Sequence, residues 1–349
     1  MEKSLSCKEG RISETDNKEL VKEENEQGKE KTKQKHQALI SSLPKRERGD
    51  MMQLALLQYQ GFWLGSEPAL KGILFMQDHF KARPTDIVLA SLPKCGTTWL
   101  KALIFTIINR ADYDFPTHPL LTANPHDLVT FLEGYLAKHE SISGLGALPS
   151  PRLLATHCPY TLLPNSMINN SGCRFVYVCR DPKDVVISTW HFVNKLLTKP
   201  RPLEDAFEQF CEGVSPFGPF WDHVIGYWRA SLELPEKMLF LKYEDLKRDP
   251  FVHVKRLAEF LGQPFTQDEE NDGMVQEIIK LCSFENLSNL EINKSSSTAT
   301  RSRFKNSDFF RKGEAGDWEK YLTTEMAAAL DHKIKEKLHD SGLTFTMPL

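Results

Sequence analysis

The sequence has no long apolar run. No stretch approaches the roughly 18 consecutive apolar residues that a membrane-spanning helix needs. Charged residues interrupt the beginning of the chain every few positions, whereas a signal peptide has an apolar core there. We therefore expect a cytoplasmic protein that has no membrane partner.

An excess of one charge and paired cysteines are also missing. The 349 residues carry a formal net charge of −3, so nothing predicts a nucleic-acid partner. The seven cysteines are odd in number and scattered, and none forms a C-x-x-C pair. This pattern favours a reducing compartment over a disulfide framework or a zinc site.

The first 36 residues contain no aromatic side chain and few large apolar ones, with nine basic and nine acidic residues. Such a segment cannot bury enough surface to offset its ordering entropy, so we expect residues 1–36 to form a disordered charged tail. The remaining residues, 37–349, are predicted to form one domain. The chain is 40% hydrophobic, which is enough for a large core.

Strand and helix patterns alternate along this domain. Short apolar runs predict strands over residues 87–90, 152–156, 174–179 and 238–243. Helical spacing predicts helices over residues 70–80, from 99 onward, and over 185–197, 253–261 and 324–338. The alternation predicts an α/β domain with a central, mainly parallel sheet flanked by helices. Residues 112–151 are expected to be irregular, and residues 281–308 to form a loop or lid.

Residues 86–99 predict a strand, a tight turn at Gly96 and then a helix. This order brings backbone N–H groups and the positive end of a helix dipole to one point, which makes an anion site. Lys94, Thr97 and Thr98 add one cation and two hydroxyl groups. The alternative is an ordinary turn in which a threonine caps the helix. A standard ATP-binding loop is not indicated, because the lysine precedes the glycine and the first glycine of that motif is missing.

Other chemically informative residues also follow predicted strands. The carboxyl ends of parallel strands form one edge of a sheet, where ligands bind. The residues at this edge are Lys94, His157, Arg180 and Tyr243. Taken alone, Arg180 could form a surface ion pair, His157 could be an ordinary loop histidine, and Tyr243 could serve packing. Their common placement at one sheet edge favours a functional site. Because an imidazole titrates near neutrality, His157 suits a general base that removes a proton from a hydroxyl.

A second anion site is indicated further along the chain. Arg180 can hold a phosphate through two hydrogen bonds, and Ser188 lies eight residues on, about two helical turns away. Arg311, Lys312 and Gly313 place two cations before a glycine. Together with Arg180 they would complete a site distinct from the Lys94 loop.

These motifs resemble those of the cytosolic sulfotransferases from about residue 45 to the end of the chain. The run from Leu92 to Trp99, Leu-Pro-Lys-Cys-Gly-Thr-Thr-Trp, is similar to the family's 5′-phosphosulfate loop. Residues 179–188 resemble its 3′-phosphate motif, and residues 310–318 resemble its C-terminal signature. The resemblance implies a P-loop-like sulfotransferase fold.

The resemblance also implies the donor 3′-phosphoadenylyl sulfate (PAPS), a small hydroxylated acceptor and no metal. His157 would be the catalytic base, and Lys94 would neutralise charge on the leaving phosphate oxygen. The 5′ end of the donor would be held by Lys94, Cys95, Gly96, Thr97 and Thr98. The 3′-phosphate would be held by Arg180, Ser188, Arg311, Lys312 and Gly313, and the adenine would be surrounded by Trp99, Tyr243 and Phe284.

The sequence departs from the family pattern at several positions. Cys95 stands where serine is commoner, either as a neutral replacement or as a thiol that oxidation could block. Ala155 stands where animal members often have lysine. The dimer motif is degraded, with Glu319 in its first position and Ala328 in its last. We therefore expect a monomer, with a weak dimer as the alternative.

The long N-terminal tail, residues 61–63 and residues 282–287 resemble the plant branch of the family, which acts in secondary metabolism. Residues 124–128, 215–221 and 343–345 are most similar to the hydroxyjasmonate sulfotransferase, and the alternatives are flavonol, brassinosteroid and desulfoglucosinolate enzymes. Alternatives of a different class are a Mg²⁺-dependent P-loop kinase and a non-catalytic nucleotide-binding protein. The acceptor pocket is expected to include Phe62, Trp63, Phe131, Tyr135, Trp190, Phe217 and Trp221.

Overall fold

The computed structural model describes residues 30–46, 55–65, 67–169, 172–294 and 304–345. The chain divides into two compact units, of which one ends at Leu43 and the other begins at Pro44. In the first unit, residues 30–42 form helix α1. Of the tail expected over residues 1–36, residues 1–29 lie outside the described residues and residues 30–36 belong to α1. The domain boundary at residue 37 stays a prediction.

The second unit contains two sheets. The smaller is antiparallel, in the order β1 (Lys45–Arg46), β2 (Leu56–Tyr59) and β3 (Phe62–Leu64). In the larger sheet all neighbouring strands are parallel, in the order β5-β6-β4-β7-β8. Its strands are β4 (Ile87–Ser91), β5 (Thr130–Phe131), β6 (Leu153–Thr156), β7 (Arg174–Cys179) and β8 (Met238–Lys242). The predicted α/β fold with a central parallel sheet is thus confirmed.

Helices connect the strands and cover the sheet. They are α2 (Glu67–His79), α3 (Thr97–Ile108), α4 (Pro125–Leu128), α5 (Leu132–His139), α6 (Ser143–Gly146), α7 (Asn165–Ile168), α8 (Pro182–Asn194), α9 (Leu203–Cys211), α10 (Phe220–Glu233), α11 (Tyr243–Arg248), α12 (Pro250–Phe260), α13 (Gln267–Asn271), α14 (Met274–Leu281), α15 (Phe284–Asn289), α16 (Glu291–Lys294) and α17 (Thr324–Leu338). Among the described residues, none of these helices combines the length and apolar character that crossing a bilayer requires.

The central strands are apolar because both of their faces are covered. All five residues of β4 are buried, which is typical of a parallel sheet with helices on both sides. Leu100, Leu103 and Ile107 of α3 belong to the same core cluster as Leu89 of β4. Burying each such side chain contributes about 1.5–3 kcal/mol to folding. This packing fixes the start of α3 against the end of β4.

Two segments differ from the expectation of irregular structure. Residues 112–151 contain strand β5 at the sheet edge and helix α5, which packs on α2. A Cβ at position Gly72 would lie 2.1 Å from the carbonyl oxygen of Glu133, so only glycine permits this approach. Residues 281–308 contain α15 and α16, while residues 295–303 lie outside the described residues. Elements this short cannot show a periodic sequence pattern.

Candidate active site

A cavity of about 290 Å³ lies at the carboxyl edge of the parallel sheet. It gathers side chains from the β4–α3 loop, from the ends of β6, β7 and β8, and from the C-terminal segment. The sequence-predicted residues that line it are Lys94, Gly96, Thr97, Thr98, Trp99, His157, Arg180, Ser188, Tyr243, Phe284, Arg311, Lys312 and Gly313. Their common placement at strand ends and at the C-terminal segment explains why they meet.

The β4–α3 loop takes an unusual backbone path into this cavity. Lys94 has a φ of 70°, in a region that non-glycine residues rarely occupy, and Gly96 has a φ of 103°. A Cβ at Gly96 would lie 2.8 Å from the Tyr243 ring, so a larger residue would displace the tyrosine. The turn aims the N-terminus of α3 at the cavity, where free backbone N–H groups and the helix dipole attract anions.

Cys95 is the one predicted donor-binding residue whose side chain does not line the cavity. Its side chain is fully buried behind the loop, and its backbone N–H lies 3.4 Å from the Leu92 carbonyl oxygen. Burial raises the pKa of the thiol to about 12, so the group is a neutral thiol at physiological pH. The buried thiol favours the interpretation of Cys95 as a neutral replacement, and a donor contact through its backbone stays a prediction.

Lys94 reaches across the cavity. Its Nζ lies 4.0 Å from the centre of the Phe192 ring, an aromatic neighbour that the sequence analysis did not identify. Burial lowers the pKa of Lys94 to about 7, and the nearby cations Lys195, Arg311 and Arg180 act in the same direction. An anion bound beside Lys94 would oppose these effects and favour the protonated amine.

The two threonines of the loop make different hydrogen bonds. The Thr97 hydroxyl lies 2.7 Å from the Ser91 hydroxyl, inside the protein. The Thr98 hydroxyl lies 2.9 Å from Nε2 of His126, and both side chains line the cavity. The sequence predicted two hydroxyl donors in this loop, and in the structure each hydroxyl has a different partner.

His157 presents one ring nitrogen to the cavity. Its Nδ1 lies 2.6 Å from the Ser91 carbonyl oxygen, which can only accept, so Nδ1 carries the proton and Nε2 carries a lone pair. The ring lies 4.9 Å from the Phe131 ring and 5.4 Å from the Phe217 ring, measured between centres. Burial lowers the pKa of His157 to about 3. The imidazole is therefore neutral at pH 7. The sequence alone predicts a pKa near neutrality, and burial accounts for the difference.

Buried polar side chains hold the His157 backbone at both ends. Its N–H donates to Oε1 of Glu133 at 2.7 Å, and its carbonyl accepts from Nε2 of His223 at 3.0 Å. The Thr156 hydroxyl also donates to Oε1 of Glu133, at 2.6 Å, and the Tyr177 hydroxyl donates to Nδ1 of His223, at 2.9 Å. Burial raises the pKa of Glu133 and lowers that of His223 to about 4. Sequence reasoning identified neither residue.

Carboxylates organise the opposite end of the cavity. Nη2 of Arg180 donates to Oδ2 of Asp184 at 3.0 Å and to the Glu314 carbonyl at 2.5 Å. Asp184 also accepts from the backbone N–H groups of Gly316 and Trp318, at 2.8 and 3.1 Å. The buried carboxylate of Asp184 therefore connects helix α8, Arg180 and the C-terminal segment.

A second carboxylate orients the remaining cations. Arg311 and Lys312 donate to the two oxygens of Asp317 at 2.6 and 2.7 Å. Burial would raise the pKa of Asp317, but hydrogen bonds from Lys312, Arg311 and Lys320 outweigh burial and hold the pKa below its ordinary value.

The same segment packs closely against Phe284 and leaves arginine N–H groups unused in the part of the chain that the structure describes. Gly313 has a φ of 67°, and a Cβ there would lie 2.5 Å from the Phe284 ring. Nε of Arg180 and Nε of Arg311 are buried and have no hydrogen-bond partner within the described residues. Convergent cations with unused N–H groups fit a phosphate.

The aromatic residues expected around the acceptor are dispersed. Phe131 and Phe217 contact His157. Trp190 instead lies at a second, small cavity and donates its indole N–H to the Arg201 carbonyl at 2.7 Å. Tyr135 stacks on His139, with ring centres 4.4 Å apart. The other expected residues, Phe62, Trp63 and Trp221, are buried or half-buried, and none makes a ring contact with His157 among the described residues.

The sulfotransferase domain family matches residues 84–342 of the chain. The chain belongs to the sulfotransferase family. Cytosolic sulfotransferase 16 of Arabidopsis thaliana is 47% identical over 319 residues, which cover 90% of this chain and 93% of that protein. Flavonol 4′-sulfotransferase of Flaveria chlorifolia is 46% identical over 309 residues, which cover 87% of this chain and 95% of that protein. The resemblance to plant cytosolic sulfotransferases is thus confirmed.

Solved sulfotransferase structures have the same fold. An Arabidopsis thaliana protein proposed to be a steroid sulphotransferase superposes with a TM-score of 0.70 at 42% identity, covering 88% of this chain and 94% of that one. A mouse sulfotransferase complexed with PAP superposes with a TM-score of 0.64 at 26% identity, covering 82% of this chain and 95% of that one. The chain is accordingly a PAPS-dependent sulfotransferase.

Proposed function

We propose that this sulfotransferase transfers the sulfuryl group of PAPS to a hydroxyl of a small plant metabolite, with hydroxyjasmonate as the first acceptor. Flavonols, brassinosteroids and desulfoglucosinolates are the alternatives, and the flavonol enzyme among the relatives supports the first of them. The observation that carries the proposal is the tautomer of His157, which lines the cavity, leaves a lone pair on Nε2 and contacts the rings of Phe131 and Phe217. The flanking rings suit a flat or apolar acceptor.

On the acceptor side, Nε2 of His157 takes the proton of the attacking hydroxyl. The hydrogen bond from Nδ1 to Ser91 keeps the ring in the tautomer that can accept this proton. The acceptor oxygen forms a bond to sulfur while the bond from sulfur to the 5′-phosphate oxygen breaks. The proton on His157 is afterwards released to water.

On the donor side, the chain supplies two positive regions. We assign the 5′ end of the donor to Lys94 and the N-terminus of α3, where protonated Lys94 stabilises the charge on the leaving phosphate oxygen. PAPS supplies the sulfuryl group and the phosphate leaving group. The 3′-phosphate is assigned to Arg180, Ser188, Arg311, Lys312 and Gly313, and the adenine to Trp99, Tyr243 and Phe284. The unused buried N–H groups of the two arginines support this assignment.

The setting of the enzyme is part of the proposal. Several relatives are cytosolic sulfotransferases by name, which supports the cytosol as the compartment. The degraded dimer motif around Glu319 and Ala328 supports a monomer. We also propose that sulfuryl transfer needs no metal, since side chains and backbone N–H groups supply the positive charge.

An acceptor screen with ³⁵S-labelled PAPS tests this proposal. Hydroxyjasmonate should give the highest kcat/KM among hydroxyjasmonate, flavonols, steroids and desulfoglucosinolates, and a chelator should leave the rate unchanged. A higher kcat/KM for another class would replace the acceptor but keep the reaction. If no hydroxylated acceptor is sulfated, the proposal fails.

A further inference from the structure

His126 lies in the wall of the donor cavity, yet no step described above uses it. Its Nε2 is 2.9 Å from the Thr98 hydroxyl, and its ring lies 4.2 Å from the Phe309 ring, measured between centres. His126 and Thr98 are 28 positions apart in the sequence, so only the fold brings the imidazole to the loop.

A buried amide pair holds His126 in place. Asn124 caps helix α4 and accepts the backbone N–H of His126 at 2.9 Å. The other end of the Asn124 amide donates to Oδ1 of Asn293 at 2.7 Å, and Asn293 donates to the Leu287 carbonyl at 2.8 Å. Asn124 and Asn293 are at most 1% exposed. Buried amides with both ends bonded are rigid supports, so the backbone of His126 is fixed relative to Leu287, which also lines the cavity.

The bond between His126 and Thr98 decides what Thr98 offers to the cavity. A hydroxyl has one proton and two lone pairs. If Thr98 donates to Nε2, its lone pairs face the cavity and repel an anion. If Nε2 carries a proton and donates to the Thr98 oxygen, the hydroxyl proton is free for an anion. A bound phosphate therefore selects the second arrangement.

We propose that His126 is a positioning residue that donates from Nε2 to Thr98 and thereby turns the Thr98 hydroxyl proton toward the 5′-phosphate end of the donor. The proposal rests on the donor site described under the proposed function. It assigns a role to a histidine of the segment 124–128, which the sequence analysis used only as a mark of similarity. Acceptor binding is not part of this role, because the base His157 is held by other residues.

A double-mutant cycle tests the proposal. It measures the affinity for PAP, which is PAPS without its sulfuryl group, by isothermal titration calorimetry on the full chain. His126→Leu should weaken PAP binding by about tenfold, the size expected for one hydrogen bond to a charged group. In a Thr98→Val background the same change should cost less than about twofold, because the hydroxyl to be oriented is gone. His126→Gln keeps an N–H donor at a similar place and should stay within about threefold of the wild type.

The control is His332→Leu, an exposed histidine on helix α17, which should bind PAP like the wild type. An unchanged affinity in His126→Leu, an equal loss in both backgrounds, or a Gln variant as weak as the Leu variant would each overturn the role of His126. Wild-type protein that does not bind PAP would instead overturn the donor site itself. KM for the acceptor should not move in any of these variants.

Discussion

Different forces hold the two ends of the cavity, the base end around His157, the proposed base, and the cation end around Arg180, Arg311 and Lys312. Hydrogen bonds fix His157 at its ring and at its backbone, through Ser91, His223 and Glu133, and burial raises the pKa of the Glu133 carboxyl. Buried carboxylates fix the cations at the other end, through Asp184 and Asp317. The base end therefore depends on geometry, and the cation end depends on charge.

The difference follows from what each end has to do. A histidine that acts as a general base must be neutral before it accepts a proton. Burial lowers the pKa of His157, and the ring has a backbone carbonyl as its partner rather than a carboxylate. A phosphate site must keep several cations close together, and a buried cation needs a carboxylate to offset its desolvation. Substitutions that remove a side chain or a charge at each end of the cavity test whether that end depends on geometry or on charge.

The largest effect is expected from His157→Ala. Loss of the general base should lower kcat by about 10²–10⁴-fold, while the affinity for PAP stays within about twofold. Steady-state kinetics and calorimetry measure the two quantities. A variant with weak PAP binding and normal turnover would show that His157 is not the base.

At the cation end, Asp184→Asn should lower the free energy of unfolding by about 3 kcal/mol. The change leaves the buried charge of Arg180 unpaired and removes an acceptor from Gly316 or Trp318. Urea unfolding followed by circular dichroism gives the value, with Asp340→Asn on the surface as the control. A loss below 1 kcal/mol would contradict the dependence on charge.

Arg311→Ala should act on the 3′-phosphate alone. We expect PAP binding to weaken by about 10–100-fold, while adenosine 5′-phosphate, which has no 3′-phosphate, binds as before. Lys320→Ala is the matched control, since Lys320 also contacts Asp317 at 3.3 Å but does not line the cavity. Equal losses for the two nucleotides would place Arg311 elsewhere on the donor.

Lys94 should make PAP binding depend on pH. Its pKa is lowered to about 7 in the free enzyme, and a bound anion raises it, so binding above pH 7 takes up a proton. The affinity should be highest below pH 7 and fall by up to about tenfold per pH unit above it. Lys94→Arg should remove this fall, because an arginine stays protonated. A pH profile that is the same for both proteins would show that Lys94 does not contact the nucleotide.

The smallest effect is expected from Glu133→Gln. Like Asp184→Asn, it replaces a buried carboxyl group by an amide, but at the base end of the cavity. The amide oxygen can still accept from Thr156 and His157, and the other carboxylate oxygen has no hydrogen-bond partner within the described residues. Stability should fall by less than about 1 kcal/mol and kcat by less than about threefold. A loss as large as that of Asp184→Asn would mean that the base end also depends on charge.

Much of the cavity could be predicted because its residues follow strands or lie in a short loop with its own signature. The strand β7 and the helix α17 have the predicted bounds, and His157 and Arg180 stand at the predicted edge. Glu133 and His126 could not be predicted, because they lie in a segment without periodic pattern and reach the site across 24 and 28 positions of the chain.

The parallel α/β fold, the anion loop and the residues at one sheet edge follow from the sequence, because local patterns and the order of elements along the chain are enough to predict them. The folded structure sets the direction of the Cys95 side chain, the tautomer of His157, and the partners of Thr97 and Thr98. It also decided that His157 stays neutral and that Lys94 titrates near pH 7. Burial and contacts between distant segments set these properties, and neither can be read from neighbouring residues.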